Sequence, residues 1–474
     1  MAIAIQNEPN AQGQPSSSAV SLNAVPILPA EFYLEHFLSE GAKAKKHNPI
    51  RFLFKYESTP GLISLLAGKP NPRTFPMSSV SLTCADPWDH DKELSLTVDP
   101  DLLSQGLQYS VESGIPAFKD WLVGLQEREH GRSMEDEGWK IAVGTGSQDM
   151  LSKAFAAIVG PGDVVLIERP TYPGAITALQ GLGAIMVDVQ TNEEGLRPEH
   201  LQSIMENWPS DRPKPKALYT VPYGGNPAGT TIPERRRKEI LALARKYNFL
   251  IIEDDPYYHL YYGEQERPAS YFSLEKQLAS ATEPVGRVVR LDSLSKILSA
   301  GMRIGTATGP ASIIEVIDRH TSSANSQTAT LTQAMALTIF QNWGYDGFKA
   351  HTKFVSAFYR EKRNQLENAL RKHLTGLADW VPPCAGMFIW LKLHLNTAAT
   401  SSSAQNDPEH GDSNELIRTK ALEKGILLLP GTVCFSSGEV TPYVRMSFSL
   451  VDEAQMNEAM RRLREVILEA RGGA

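Results

Sequence analysis

Cysteine is scarce in this chain of 474 residues: three occur, Cys84, Cys384 and Cys434. They are far apart and odd in number, so neither a disulfide framework nor a zinc site follows, and a reducing compartment is expected. No run of 18 apolar residues is present, so no membrane-spanning helix is expected. Neither sign of charge dominates: 47 Lys and Arg stand against 54 Asp and Glu, a net of −7, which gives no reason to expect nucleic-acid binding. The basic run Arg235-Arg236-Arg237-Lys238 falls where a helix should begin and reads as a solvated face. Lys and Arg are missing before Lys43, which argues against a mitochondrial transit peptide. The charged start and apolar stretch of a secretory leader are missing too, and Gly472-Gly473-Ala474 is no peroxisomal address. A cytoplasmic location is expected. No fixed-period repeat is present.

What remains is ordinary globular material, 42% hydrophobic and 21% charged. Its length suggests roughly two or three domains. Residues 1–27, rich in Gln, Asn, Pro and Ser, read as a disordered tail. Residues 28–95 form an N-terminal segment. It has a helical stretch from Pro29 to Lys46, then a strand, Leu62 to Leu66, that runs into the breaker-rich Ala67-Gly68-Lys69-Pro70-Asn71-Pro72. With no side chain, Gly68 lets backbone approach a ligand closely, or simply makes a turn.

Over residues 96–344, short apolar strands alternate with helices. The strands are Lys140–Val143, Asp163–Ile167, Ala184–Val189, Ala217–Val221, Phe249–Glu253 and Arg287–Leu291. The clearest helix follows Pro233, with Ile240, Leu243, Ala244 and Tyr247 at i, i+3, i+4, i+7. This predicts an α/β fold with a mostly parallel sheet covered by helices on both faces. Ligands in such folds bind at the carboxyl ends of the strands. Residues 345–474 change texture: a long helix from about Tyr345 to His373, the strand Met387–Leu391, a mobile insertion at 396–412, a helix near Glu415–Lys424, the strand Tyr443–Phe448 and the amphipathic helix Glu453–Ala470. They read as a smaller α+β domain, to which the N-terminal segment contributes.

Most of these strands carry a suggestive group at or near the end. Gly144-Thr145-Gly146-Ser147-Gln148 opens a helix after the first, an anion site or a plain turn. Tyr172, in Arg169-Pro170-Thr171-Tyr172-Pro173, is an aromatic ring in a stiff loop, free to stack on a flat ligand or to pack. Asn226 precedes Pro227, where an amide can bond a ring oxygen or simply make a turn. Glu253-Asp254-Asp255-Pro256-Tyr257-Tyr258 puts two aspartates at a strand end, at least one of which should face the cleft. Ser293-Leu294-Ser295-Lys296 follows the last strand, with Arg303 seven positions beyond the lysine. A lysine among hydroxyls beside an anion-binding arginine suits a Schiff base to a phosphorylated aldehyde. Arg445, in the largely apolar Tyr443–Phe448, is costly there unless paired, and a carboxylate is its natural partner.

Taken in order, Tyr-Thr-Val-Pro…Asn-Pro-Ala-Gly, Ile-Ile-Glu-Asp-Asp-Pro-Tyr-Tyr, Ser-Leu-Ser-Lys…Arg-Ile-Gly, Gly-Met-Phe-Ile-Trp and Tyr-Val-Arg-Met-Ser-Phe resemble the fold-type I pyridoxal-phosphate aminotransferases of class I/II. The likeness is greatest to the fungal aromatic and the kynurenine/2-aminoadipate aminotransferases and covers about residues 28–470. It implies Lys296 as the Schiff-base lysine and proton carrier. Asp255 would hold the pyridine nitrogen, Tyr258 and Asn226 the ring hydroxyl, and Tyr172 would stack on the ring. Ser147, Gln148, Ser293, Ser295 and Arg303 would bind the phosphate, with Tyr109 reaching it from the partner of a homodimer. Arg445, with Asn226, would bind the substrate, and Arg51 and the Gly68 loop would close over its side chain. The implied substrates are an L-amino acid, aromatic before 2-aminoadipate or kynurenine, and a 2-oxo acid. A C–S or β-lyase would keep the same contacts. Ala228 and Leu294 depart from the family's usual Thr and Phe.

Overall fold

The apolar runs of the central region close into one sheet of eight strands. The computed structural model of the protein describes residues 25–46, 48–57, 59–395 and 411–472. In chain order its strands are β1 (Ser81–Ala85), β2 (Glu93–Thr97), β3 (Trp139–Thr145), β4 (Val164–Arg169), β5 (Ile185–Asn192), β6 (Gly195–Leu196), β7 (Pro215–Thr220), β8 (Leu250–Asp255), β9 (Val288–Ser293), β10 (Ile304–Pro310), β11 (Ala378–Trp380), β12 (Phe388–Leu393), β13 (Leu429–Pro430) and β14 (Tyr443–Ser447). The large sheet has the order β3-β10-β9-β8-β7-β4-β5-β6. Neighbours from β9 to β5 are parallel, and β10 runs antiparallel between β3 and β9. Strand β10 was not expected. Its sequence Ile-Gly-Thr-Ala-Thr-Gly-Pro has few large apolar residues, yet all seven are buried.

The sheet is buried on both faces, and its strands divide their side chains by strict alternation. Leu250 and Ile252 of β8 belong to one apolar cluster, with Tyr219 of β7 and the Ser147–Ile158 helix. Ile251 faces the other cluster, with Leu218 and the Glu234–Tyr247 helix. That helix buries Ile240, Leu241, Leu243 and Ala244, each large side chain contributing about 1.5–3 kcal/mol. Its basic start is a solvated face only in part: Arg235 and Lys238 are exposed, whereas Arg236 and Arg237 are buried. Arg237 is fully buried and donates to the carbonyls of Ile232, Ala269 and Pro222, and Arg236 donates to those of Gly195 and Leu196. The guanidinium fork satisfies loop carbonyls that would otherwise be buried unpaired.

The smaller sheet, β11-β12-β14-β13, is antiparallel throughout. The Thr330–Leu374 helix leads into it and is broken in mid-course at Gly344 (φ 62°, ψ −177°). Its second arm packs beside the Glu453–Ala470 helix, which begins with a capping box on Asp452.

The N-terminal region departs from expectation. Pro26–Leu28 are tied to Val285 by backbone hydrogen bonds, so the tail's end is anchored. The Pro29–Lys46 stretch is two helices, Ala30–His36 and Glu40–Ala44, split where Phe37 and Leu38 are buried and Ser39 caps the second. Leu62–Leu66 is not a strand: it pairs with nothing in a sheet and leaves Ile63 and Leu65 exposed. Of the insertion, residues 396–410 lie outside the described residues. No helix among those described is long and apolar enough to cross a membrane.

Candidate active site

A cavity of about 300 Å³ opens at the carboxyl ends of the parallel strands. Its wall brings together Ser147, Gln148, Tyr172, Asn226, Ser293, Ser295, Lys296 and Arg303, all expected at the site. It adds Asp254, Tyr257 and Phe388.

The anion end is built by three segments. The Ser147–Ile158 helix points its N-terminus into the cavity, where its first N–H groups lack intrahelical partners. Ser295 follows β9, and its Oγ accepts from Arg303 Nη1 at 3.1 Å. The Ser295 N–H donates to Ser293 Oγ at 3.2 Å. Arg303 is held from behind by the carbonyls of Ala300 and Thr145. Gly305 lets β10 run close behind: a Cβ there would stand 2.4 Å from the Ser147 nitrogen.

Lys296 lies in a turn, Leu294 to Leu298, closed by a 2.9 Å hydrogen bond from the Leu298 N–H to the Leu294 carbonyl. Burial, with the Arg303 charge adding to it, lowers the lysine's pKa. The neutral, nucleophilic amine is thereby favoured.

The carboxylate that reaches the cavity is Asp254, not Asp255. Alternation along β8 puts Asp254 on the same face as Ile252 and the Ser147–Ile158 helix, and Asp255 on the opposite face. There Asp255 meets Arg290 at 2.7 Å. The same offset replaces Tyr258 by Tyr257: Tyr258 packs under Arg267, 3.6 Å from its ring centre, and donates to the Glu129 carbonyl. The sequence motif Asp-Asp-Pro-Tyr-Tyr offers an aspartate and a tyrosine three apart in either register, and only the sheet face chooses between them. Asp254 Oδ2 accepts from the Tyr219 hydroxyl at 2.8 Å, while Oδ1 is buried with no hydrogen-bond partner. Burial raises this carboxyl to about 7, against the Tyr219 hydrogen bond. Sequence reasoning missed Tyr219, although its position in β7 opposite Ile252 of β8 puts it two residues short of Asp254.

Arg445 approaches from the smaller sheet. Its Nη1 donates to Asn226 Oδ1 at 2.8 Å, and its guanidinium lies 4.0 Å over the Phe388 ring. Its Nε is buried without a partner. Burial lowers its pKa, and no carboxylate among the described residues pairs with it. Tyr223 lies in the core with its hydroxyl on the Pro268 carbonyl.

Besides Asp255 and Tyr258, the expected residues Tyr109, Gly68 and Arg445 are absent from this cavity's wall. Tyr109 is 54% exposed. Gly68 lies in the exposed, irregular stretch that includes Ile63 and Leu65. Arg51 belongs to the short helix Pro49–Leu53, and its side chain lies outside the described residues.

The donor set fits pyridoxal phosphate. An orphaned, buried carboxylate oxygen suits a protonated ring nitrogen, since an unpaired buried acceptor is costly. A helix N-terminus with two serines and an arginine suits a phosphate dianion. Tyr172 offers a ring face, and Lys296 an amine with lowered pKa.

Comparison with known proteins agrees. The model of the family "Aminotransferase class I and II" matches residues 104–463. An aminotransferase of Emericella nidulans, tdiD, is 40% identical over 89% of this chain and 93% of its own. The mitochondrial kynurenine/alpha-aminoadipate aminotransferase of Mus musculus is 37% identical over 92% of this chain and 99% of its own. The solved aromatic aminotransferase Aro9 of Candida albicans superposes with a TM-score of 0.77 at 25% identity, covering 91% of this chain and 97% of that one.

Proposed function

The chain belongs to the class I and II aminotransferases, and on that premise we propose that it moves the amino group of an aromatic L-amino acid to a 2-oxo acid such as 2-oxoglutarate. Its cofactor is pyridoxal phosphate, which when bound supplies the electron sink that makes the substrate's α-proton removable. The observation that carries the site assignment is the convergence on one cavity of Lys296, the open helix N-terminus and the orphaned Asp254 oxygen.

The positions of the side chains around the cavity support the following roles. Lys296 would hold the cofactor through its aldehyde carbon, and its amine would carry the α-proton as general base and then acid. Asp254 keeps the ring nitrogen protonated, with Tyr219 holding the carboxylate in line. Tyr257 and the Asn226 amide would hold the ring hydroxyl, and Tyr172 would stack on the ring. Ser147, Gln148, Ser293, Ser295 and Arg303 hold the phosphate. Arg445 takes the α-carboxylate through the donors that Asn226 leaves free. The aromatic preference rests on the rings of Phe388, Tyr257 and Tyr172 around the cavity, and on the name of the Candida albicans neighbour. Kynurenine or 2-aminoadipate is the second reading, favoured by the name of the mouse relative. A homodimer in which Tyr109 serves the partner's phosphate accounts for that tyrosine's exposure. Arg51 and the Gly68 loop would then close over the substrate side chain, and we place the enzyme in the cytoplasm.

The test is Lys296→Ala. It should lose the absorbance of the lysine-bound cofactor and at least ~10⁴-fold of the transamination rate, roughly the worth of a lost nucleophile and base. Turnover at the normal rate by the Lys296→Ala enzyme would refute the assignment. Substrate class is read from a panel of amino acids with and without 2-oxo acid. Turnover that needs the oxo acid marks transamination, whereas ammonia and pyruvate from one substrate alone would mark a lyase.

A further inference from the structure

The turn that carries Lys296 is gripped by a histidine outside the cavity. His351, on the second arm of the broken helix, lies with Nε2 2.6 Å from the Ile297 carbonyl oxygen, the residue next to Lys296. A carbonyl only accepts, so Nε2 carries the proton. The neutral ring then has an acceptor at Nδ1, and His90 Nε2 stands 3.2 Å from it. The His90 ring stacks on Phe354, and His351 packs against Trp343 at 4.7 Å. A chain of donors therefore runs from the turn between β1 and β2, through His351, to the backbone beside the lysine. Burial lowers the pKa of His351, with His90 adding to the effect and the bond to Ile297 opposing it.

We propose that His351 is a positioning residue for Lys296, fixing the backbone pivot from which the lysine side chain swings between holding the cofactor and carrying the proton. It touches neither cofactor nor substrate. This rests on Lys296 being the reactive lysine. If Lys296→Ala kept full activity, that reading would fail first. If Lys296→Ala were inactive and His351 variants normal, only the present proposal would fail.

The test compares His351→Phe, which keeps a ring but loses the donor, with His351→Gln, whose amide can still donate to the Ile297 carbonyl. The pH midpoint of the bound cofactor's absorbance should move in His351→Phe and return towards wild type in His351→Gln. In His351→Phe, kcat should fall about tenfold, the worth of one lost hydrogen bond, with the amino-acid KM held within about twofold. His351→Gln should recover most of that loss. The proposal is overturned if His351→Phe keeps both midpoint and kcat, or if His351→Gln is no better than His351→Phe. Should His351→Phe not fold, His351→Met, close to Gln in shape and without a donor, takes its place with the same two outcomes.

Discussion

Two arginines sit inside apolar strands, and their surroundings are opposite. Arg290 of β9 is fully buried and caged by three carboxylates: Asp255 at 2.7 Å, Asp292 at 2.7 Å and Glu253 at 3.4 Å. Its charge is met by ion pairs within the protein, although Nη1 makes no hydrogen bond. Arg445 of β14 has one neutral partner, Asn226, and a buried Nε with none. The protein keeps that second charge short of partners, which is the condition for a substrate carboxylate to supply them. An arginine in a strand is thus informative only once its partners are counted.

The largest break in this comparison is Arg290→Met. It leaves buried carboxylates without their cation and should cost about 3–5 kcal/mol of stability, read as a lower denaturant midpoint. Arg445→Ala should leave that midpoint nearly unchanged and instead lower kcat/KM by ~10²–10³, the worth of a lost charge-assisted carboxylate contact. A stability loss as large as that of Arg290→Met would contradict the contrast.

An uncaged acid extends it. Glu168, at the end of β4, is buried against the Thr220 hydroxyl and the Val221 N–H. Burial pushes it up to about 7 from 4.5. The folded state therefore holds a proton there that the unfolded state has released. The stabilisation is full below about pH 4.5 and is lost as pH rises to about 7, on the order of 3 kcal/mol in all. Glu168→Gln should remove that slope, so its denaturant midpoint relative to wild type should rise between about pH 5 and pH 8. The smallest expected effect is Tyr219→Phe. Losing one neutral donor to Asp254 should lower kcat by about fivefold, measured at saturating substrate.

The sequence made the chemistry legible and its geometry only partly so. Lys296, Ser147, Tyr172, Asn226 and Arg303 announce themselves because each follows a strand whose apolar run is plain, and topology alone gathers strand ends. Asp254 was hidden behind Asp255 because a doubled motif carries no register, and the face of β8 that meets the Ser147–Ile158 helix is a property of the sheet. Strand β10 escaped because its burial comes from neighbours on both sides and not from its own side chains. Leu62–Leu66 misled for the converse reason: apolar residues were present and a pairing strand was not. Arg236 and Arg237 read as solvent-facing because charge content does not reveal which loop carbonyls lie overhead.

Gly344 carries a consequence of another kind. From β10 to β11 the chain passes from the sheet bearing Lys296 to the one bearing Arg445, and the 45-residue helix is most of that path. Two stiff rods meet at one joint. The angle between the two rods is set by a single pair of dihedral angles, and direct contacts, Arg445 with Asn226 and the Thr171 N–H with the Cys434 carbonyl, hold the two sheets together. A Cβ at this joint would meet nothing within 4 Å, so the cost of any other residue is wholly conformational. A residue far from both Lys296 and Arg445 thus helps to fix how the two sheets meet.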